Sequence, residues 1–253
     1  MPTIENIPAE DYFSRSALNA STLKSFAKVP ALAHVSREET AAMVLGSLVH
    51  CAILEPDELD NRYQATSVDR RGTKAWAEAE ESAEGRELVK LADFDQALRM
   101  RDAVHANPTA RELLTGAKTE VSAFWNHDAT ALPCKARADA VNHRLSALID
   151  VKTTADASPR EFARQFAKLG YGIQDAHYRQ GFAEAGFQAE TMVFLAVEKN
   201  PPFLVALYEL NADQLAAYED KHSALVHDYH QCTLTNHWPG YDTGIQTLEL
   251  PWI

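Results

Sequence analysis

The pattern of apolar and polar positions predicts helices in the first half of the chain. Residues 19–25 begin with a polar capping residue and predict a short helix. Residues 39–54 are apolar on almost every face, which predicts a buried helix that ends before Pro56. The polar residues 57–73 predict irregular structure. Residues 74–105 are rich in Ala, Glu, Leu and Arg and predict one long helix or two.

Strands are predicted from Thr119 onward. Five segments have the alternation or the β-branched content of strands: residues 119–125, 133–141, 145–151, 191–197 and 203–210. A helix is predicted between the third and fourth strands, capped by Ser158, with a break near Gly170 and an end at about residue 185. Asn211 predicts the cap of a last helix to about residue 229, before an irregular tail from residue 232.

This order of elements predicts a mixed sheet with helices on its faces. Three consecutive strands with short links favour an antiparallel meander, and the helix before the fourth strand permits a crossover to a parallel neighbour. We therefore expect an α/β or α+β fold in a single domain over residues 1–253. Its parts would be a mostly helical region (1–118), a sheet with helices (119–230) and an irregular tail (231–253).

Composition and charge narrow the functional classes. Hydrophobic residues make up 46% and charged residues 24%, as in ordinary globular proteins, and no segment approaches the roughly 20 apolar residues of a membrane span. Three scattered cysteines predict neither a disulfide framework nor a zinc cluster, and the first residues lack signal-peptide features, so we expect a cytoplasmic protein. The net charge of −12 argues mildly against nucleic acid as a partner. A basic lining or a bound divalent cation would reverse the local sign.

The densest candidate chemistry lies in residues 134–154, on the second and third predicted strands. If these strands pair as a hairpin around residues 143–146, Asp139 lies opposite Asp150, and Lys152 shares the face of Asp150. Two adjacent carboxylates repel unless a cation joins them, and oxygen ligands suit Mg²⁺. A nearby lysine would stabilise negative charge during phosphodiester hydrolysis. The same spacing also fits an ordinary surface hairpin with an Asp–Lys pair.

Further candidates lie on the predicted helices and on the first predicted strand. His50 follows Gly46 by one helical turn, and the glycine would allow another backbone to approach; His50 is alternatively a core histidine. Gln174 and Tyr178 share a helical face that would meet a phosphate backbone or a flipped base, or would simply pack half-buried. Glu120 opens the first strand and is alternatively a solvated edge residue.

The order of these motifs resembles the RecB-like branch of the PD-(D/E)XK nucleases: G-x-x-x-H, A-D, D-V-K and Q-x-x-x-Y. The N-terminal sequences YFSRSALNASTLKSFAKVPALAHV, LGSLVHCAILEPDELDNRY and RRGTKAW resemble RecE-type exonucleases (exonuclease VIII). The resemblance covers about residues 12–210. It implies a restriction-endonuclease-like core: a central mixed sheet flanked by helices, with a helical N-terminal region.

The resemblance also implies an activity and partners. The expected reaction is Mg²⁺-dependent, processive 5′→3′ digestion of one strand of linear duplex DNA with 5′-phosphorylated ends, with Mn²⁺ as a substitute ion. The resulting 3′ single-stranded tails would serve annealing-type homologous recombination with a single-strand annealing protein. A homo-oligomeric ring of three or four subunits is implied, in a bacterial or phage setting, and such a ring would combine an acidic exterior with a basic bore.

The resemblance assigns a role to each matched residue. The implied ligands of one or two metal ions are His50, Asp139, Asp150, the carbonyl of Val151, and Glu120. Lys152, Asp139 and Asp150 form the implied catalytic set. The implied DNA-binding residues are Gln174 and Tyr178, together with Arg137, Arg70, Arg71 and Lys74 as candidates for the 5′-phosphate.

Two departures and three alternatives accompany this assignment. Ala138 replaces the proline of the motif, and Asp150 stands where many members have Glu. The segment with Arg70, Arg71 and Lys74 is alternatively a solvated basic loop. The chain is alternatively another PD-(D/E)XK nuclease, either an endonuclease or an exonuclease of different polarity, or a non-catalytic DNA-binding module.

Overall fold

A computed structural model describes residues 1–36 and 40–247 of the chain. The strands within these residues are β1 (Thr3–Glu5), β2 (Tyr63–Thr66), β3 (Glu87–Lys90), β4 (Lys118–Asn126), β5 (Pro133–Asn142), β6 (Ala147–Thr154), β7 (Thr191–Glu198) and β8 (Val205–Tyr208). The α-helices are α1 (Ala9–Ser14), α2 (Ala20–Phe26), α3 (Ala41–Leu54), α4 (Leu59–Arg62), α5 (Lys74–Ser82), α6 (Leu91–Ala106), α7 (Pro108–Leu114), α8 (Pro159–Leu169), α9 (Tyr171–Glu184) and α10 (Ala212–Thr235). Two short 3₁₀ turns cover Pro30–Leu32 and Pro56–Glu58.

Six of these strands form one mixed sheet in the order β1-β4-β5-β6-β7-β8. The strands β4, β5 and β6 form the predicted antiparallel meander. The chain then crosses over through α8 and α9, so that β7 pairs parallel to β6. The expected α/β fold with a central mixed sheet flanked by helices is confirmed.

The sheet separates two apolar cores. On one face, residues of α3 and α6 such as Leu48 and Met100 pack against Ile149. On the other face, residues of α2 and α9 such as Leu23 and Phe182 pack against Leu148. Neighbouring residues of β6 therefore serve opposite cores, which is the two-residue alternation of a strand covered on both sides.

The predicted helical half needs corrections. Residues 59–66 are not irregular, because they form α4 and β2. Of the predicted one or two helices over residues 74–105, the structure has two, α5 and α6. The strand between them, β3, was not predicted, and it pairs parallel with β2 in a second sheet. Gly85, with φ of 87°, breaks the helix before β3.

Helix ends show smaller differences. Asn19 caps α2 as predicted by accepting a hydrogen bond from Thr22 N at 3.0 Å. Ser158 occupies the N-cap position of α8, but its side chain makes no capping hydrogen bond. Helix α10 continues six residues past the predicted end, to Thr235. The predicted helix start at residue 39 and the last six tail residues lie outside the described residues.

Candidate active site

A cleft of about 1180 Å³ opens over β4, β5 and β6. Its floor carries Glu120, Asp139, Asp150 and Lys152, and its sides come from α2, α3, α9 and residues 6–13. The fold therefore brings residues that are far apart in sequence to one concave surface. None of the described helices is both long enough and apolar enough to span a bilayer.

The two aspartates face each other where β5 and β6 separate. The last paired residues are Ala140 and Ile149, so Asp139 and Asp150 occupy the next position of the predicted register. Asp139 Oδ2 accepts a hydrogen bond from Val151 N at 2.7 Å. Because the carboxylate takes the place of a strand partner, the strands open at this point and leave a polar floor.

Asp150 is held by two side chains, and one of these is held in turn by a third. Lys152 Nζ forms an ion pair with Asp150 Oδ2. Gln174 Nε2 on α9 donates to Asp150 Oδ1 at 2.5 Å, and Lys24 Nζ on α2 donates to Gln174 Oε1 at 3.0 Å. Gln174 is only 4% exposed. Gln174 thus binds a carboxylate of the cleft floor, and its predicted contact with DNA stays a prediction.

His50 projects from α3 over the other aspartate. Its Nδ1 lies 3.4 Å from Asp139 Oδ2, and the ring also forms a hydrogen bond with the backbone of Val151. Among the described residues, an added methyl group at Gly46 would meet no atom within 4 Å, so no other described part of this chain makes a close approach at this glycine. The long apolar face of α3, rather than the glycine, sets the position of His50.

Burial and mutual charge shift the titration of these groups. Burial raises the pKa of Asp139 well above its usual value, and repulsion by Asp150 raises it further. Burial also lowers the pKa of His50, assisted by the nearby ammonium of Lys152. For Lys152, burial lowers the pKa, but the two aspartates outweigh it and the net shift is upward. Lys152 is thus cationic and His50 neutral at pH 7.

The chemical types of the donors on the cleft floor suit a hard divalent cation. Asp139 and Asp150 supply carboxylate oxygens, and the neutral imidazole of His50 supplies a nitrogen. Asp150 Oδ2 is buried, and its contact with the ammonium of Lys152 satisfies it. Within residues 1–36 and 40–247, no three His, Cys, Asp or Glu side chains are close enough to enclose an ion together. Neither His50, Asp139 and Asp150 nor the larger set with Glu120 is therefore assembled as a cage, and backbone or water ligands would have to complete the coordination.

Arg137 and Glu120 form a half-buried ion pair at the edge of the cleft. Arg137 Nε donates to Glu120 Oε2 at 2.7 Å, and its Nη1 donates to Ser122 Oγ at 3.0 Å and to the carbonyl of Ile7 at 2.9 Å. Glu120 has φ of 54°, a strained value for a residue with a side chain. Arg137 thus already has three protein acceptors, and its predicted contact with a 5′-phosphate stays a prediction.

The other predicted DNA-binding residues divide between two places. Tyr178 lines the cleft one turn after Gln174. Arg71 and Lys74 line a separate hollow of about 430 Å³ beside Trp76, and Arg70 lies in the same loop. The fold therefore does not bring this basic loop into the cleft, and its role stays a prediction.

The sequence analysis missed the contribution of the N-terminus. Residues 1–18, which we call the N-terminal strap, add β1 to the edge of the sheet and place residues 6–13 along the cleft. Lys24 was also missed, although it lies one turn into the capped helix. Contacts between residues more than 100 positions apart produce no pattern in the local sequence. The family resemblance quoted above, which begins at Tyr12, was therefore the sequence signal for the second half of the strap and for Lys24.

Comparisons with known proteins agree with this geometry. The family model described as "PDDEXK-like domain of unknown function (DUF3799)" matches residues 19–250. The crystal structure named "Putative exonuclease", from Eubacterium rectale, aligns over 98% of this chain and 96% of its own with a TM-score of 0.68 and 14% identity. A "phage related exonuclease" from Haemophilus somnus aligns over 90% of this chain and 100% of its own, but its TM-score of 0.37 at 11% identity carries no argument. No curated protein sequence matches the chain.

The structural likeness at 14% identity shows the fold, and the family model spans nearly the whole chain. The residues that a PD-(D/E)XK motif requires also stand together on the cleft floor. The chain belongs to the family of PDDEXK-like domains of unknown function.

Proposed function

We propose that this protein is a metal-dependent DNA nuclease. The observation that supports it most directly is the meeting of Asp139, Asp150 and Lys152 on the floor of one open cleft, beside His50. Burial and charge repulsion raise the pKa of Asp139, so the pair is unfavourable without a cation between the two carboxylates. Because a bound cation relieves the repulsion between the two carboxylates, the site favours cation binding.

Each residue has a chemical task in this proposal. Asp139 and Asp150 would hold Mg²⁺, with His50 and the carbonyl of Val151 as further ligands. A divalent cation held there lowers the pKa of a water molecule and polarises a phosphodiester. Lys152, kept cationic by the aspartates, would stabilise the negative charge that develops on the phosphate. Gln174 fixes the direction of the Asp150 carboxylate.

Among DNA nucleases, the type that we propose is an exonuclease. The RecE-like N-terminal sequence supports 5′→3′ digestion of one strand of linear duplex DNA, with 3′ single-stranded tails as the product. A ring of three or four copies and an annealing partner belong to the same proposal. The net charge of −12 fits a ring whose acidic residues face outward.

The test uses the purified protein with Mg²⁺ on three substrates. These are a linear duplex with 5′-phosphates, the same duplex with 5′-hydroxyls, and relaxed closed circles. Lys152→Ala removes the ammonium from the cleft, and Lys221→Ala, on the exposed face of α10, is the matched control. We expect loss of the phosphorylated linear duplex from its 5′ ends, no attack on circles, and activity in the control but not in Lys152→Ala.

Other results would redirect the proposal. Nicking of circles that Lys152→Ala abolishes would keep the nuclease site but replace the exonuclease with an endonuclease. Digestion from 3′ ends would refute the polarity. Absence of hydrolysis with both Mg²⁺ and Mn²⁺ would refute the nuclease and favour a DNA-binding module.

A further inference from the structure

The N-terminal strap is held in place by two cations of β5. Lys135 is buried, and its Nζ donates to the carbonyls of Tyr12 at 2.8 Å and Arg15 at 2.5 Å. Arg137 donates to the carbonyl of Ile7 at 2.9 Å. A buried ammonium and a half-buried guanidinium need such acceptors, so both ends of the cleft-lining stretch are tied to the strand that carries the candidate catalytic aspartate.

The strap presents one aromatic ring to solvent at the cleft. Phe13 is 72% exposed, while the adjacent Tyr12 is buried and meets it edge-to-face with ring centroids 5.3 Å apart. The Lys135 ammonium lies 4.6 Å from the centroid of the Tyr12 ring, on the inner side of the strap. Since Tyr12 and its anchors fill the space beneath, the Phe13 ring remains in the open cleft rather than in the core.

We propose that Phe13 is a stacking platform for an unpaired nucleobase of the DNA strand that enters the cleft. This inference rests on the proposed function, because the ligand is the strand whose phosphodiester would lie over the acidic floor. An aromatic face stacks on any base, so it holds DNA without reading sequence, as a nuclease that digests long DNA requires. A base inside a duplex already has both faces stacked and is paired at its edge, so the platform favours a base that has left the duplex.

The charge of the chain makes such a contact useful. With a net charge of −12, the protein gains little long-range attraction for DNA. Stacking is not electrostatic, so it adds affinity without adding cations to an acidic cleft. It is also distinguishable from phosphate contacts, because only phosphate contacts contribute to the slope of affinity against salt concentration.

The test measures binding in the hydrolysis-blocked Lys152→Ala protein by fluorescence anisotropy. The two probes are a single-stranded oligothymidylate with a 3′ fluorophore and a chain of equal length with abasic sugars. We expect the thymine bases to improve affinity about 5- to 150-fold, the range that one base–aromatic stack contributes. Adding Phe13→Ala should remove that preference without changing the salt slope. Adding Phe13→Trp should keep it, and bound bases should quench the tryptophan emission.

Matched variants separate stacking from other uses of the ring. Tyr241→Ala removes an exposed aromatic outside the cleft and should leave the preference intact. Phe13→Leu keeps an apolar side chain without a π face and should behave like Phe13→Ala. An unchanged preference for bases in Phe13→Ala would overturn the inference. A change in sedimentation with no effect on base preference would also overturn it, since the ring would then contact a second copy of the chain.

The outcome is separable from that of the nuclease proposal. If Lys152→Ala abolishes hydrolysis but Phe13→Ala leaves the base preference intact, only the stacking inference fails. If the protein cuts no DNA, yet its preference for bases depends on Phe13, the nuclease proposal fails and the stacking site stands as part of a binding module.

Discussion

Gln174 offers a direct test of how the cleft holds its carboxylates. The change Gln174→Met keeps the length and approximate volume of the side chain but removes both polar atoms. Asp150 Oδ1 then loses its 2.5 Å donor, and Lys24 Nζ loses its 3.0 Å acceptor. Asp150 is only 2% exposed, so water has little room to replace the lost donor.

The magnitude follows from the charge and burial of the acceptor. A hydrogen bond to a charged group contributes about 1.5–3 kcal/mol. If this free energy acts on the orientation of Asp150, the affinity for a divalent cation falls about 10- to 150-fold, in the range seen when side chains that orient a metal ligand are removed. Gln174→Glu should be at least as damaging, because it places a second carboxylate against Asp150.

The assay is calorimetric titration of the DNA-free protein with Mn²⁺, followed by the rate of duplex digestion at saturating Mn²⁺. Gln96→Met is the control, since Gln96 also donates a 2.5 Å hydrogen bond, to the carbonyl of Lys199 away from the cleft. Thermal unfolding of both variants separates loss of fold from loss of site. Wild-type Mn²⁺ affinity in a folded Gln174→Met protein would refute the positioning role.

Three further predictions concern protonation and packing. Divalent-cation affinity should rise with pH and binding should release protons, because the raised pKa of Asp139 means that a proton competes with the ion. Calorimetry in buffers of different ionisation enthalpy measures the number of protons released, and a value of zero would contradict the prediction. Burial lowers the pKa of His177 to about 3 and of His222 to about 4. Because the folded protein keeps both rings neutral while the unfolded chain binds protons, these two groups leave the free energy of unfolding unchanged above pH 6.5 and lower it as the pH falls toward 4. The loss at pH 5 is about 4 kcal/mol for the pair; urea unfolding should show a shallower pH slope in His222→Gln, and an unchanged slope would be inconsistent with this origin. Gly181→Ala should lower the free energy of unfolding by about 1–3 kcal/mol, because the new methyl group overlaps the Trp125 ring. Gly46→Ala has open space among the described residues and should raise the free energy of unfolding by up to about 1 kcal/mol. Equal melting temperatures for the two variants would contradict this description of the packing.

Patterns within single strands, helices and short turns accounted for much of what the sequence predicted about the fold. Strand alternation and a short turn were enough to place Asp139 opposite Asp150, because a one-residue slip would turn every buried side chain of the hairpin outward. A helix between two strands permitted a parallel crossover, because parallel neighbours need a long connection that is usually helical, and the structure has that crossover. The same reasoning failed for β2 and β3, because two four-residue strands without a shared turn have no local signal for their parallel pairing.

The sequence by itself determined the sheet class, the hairpin register and the presence of the Asp–Asp–Lys set, since each depends on contacts set by spacing along one or two elements. Only the tertiary structure decided that Gln174 binds Asp150, that Arg137 and Lys135 anchor the strap, and that the loop with Arg70, Arg71 and Lys74 lies outside the cleft. These contacts join elements up to 130 residues apart. Their partners are chosen by burial, because a polar group taken from water must find whatever acceptor or donor the packed chain places beside it.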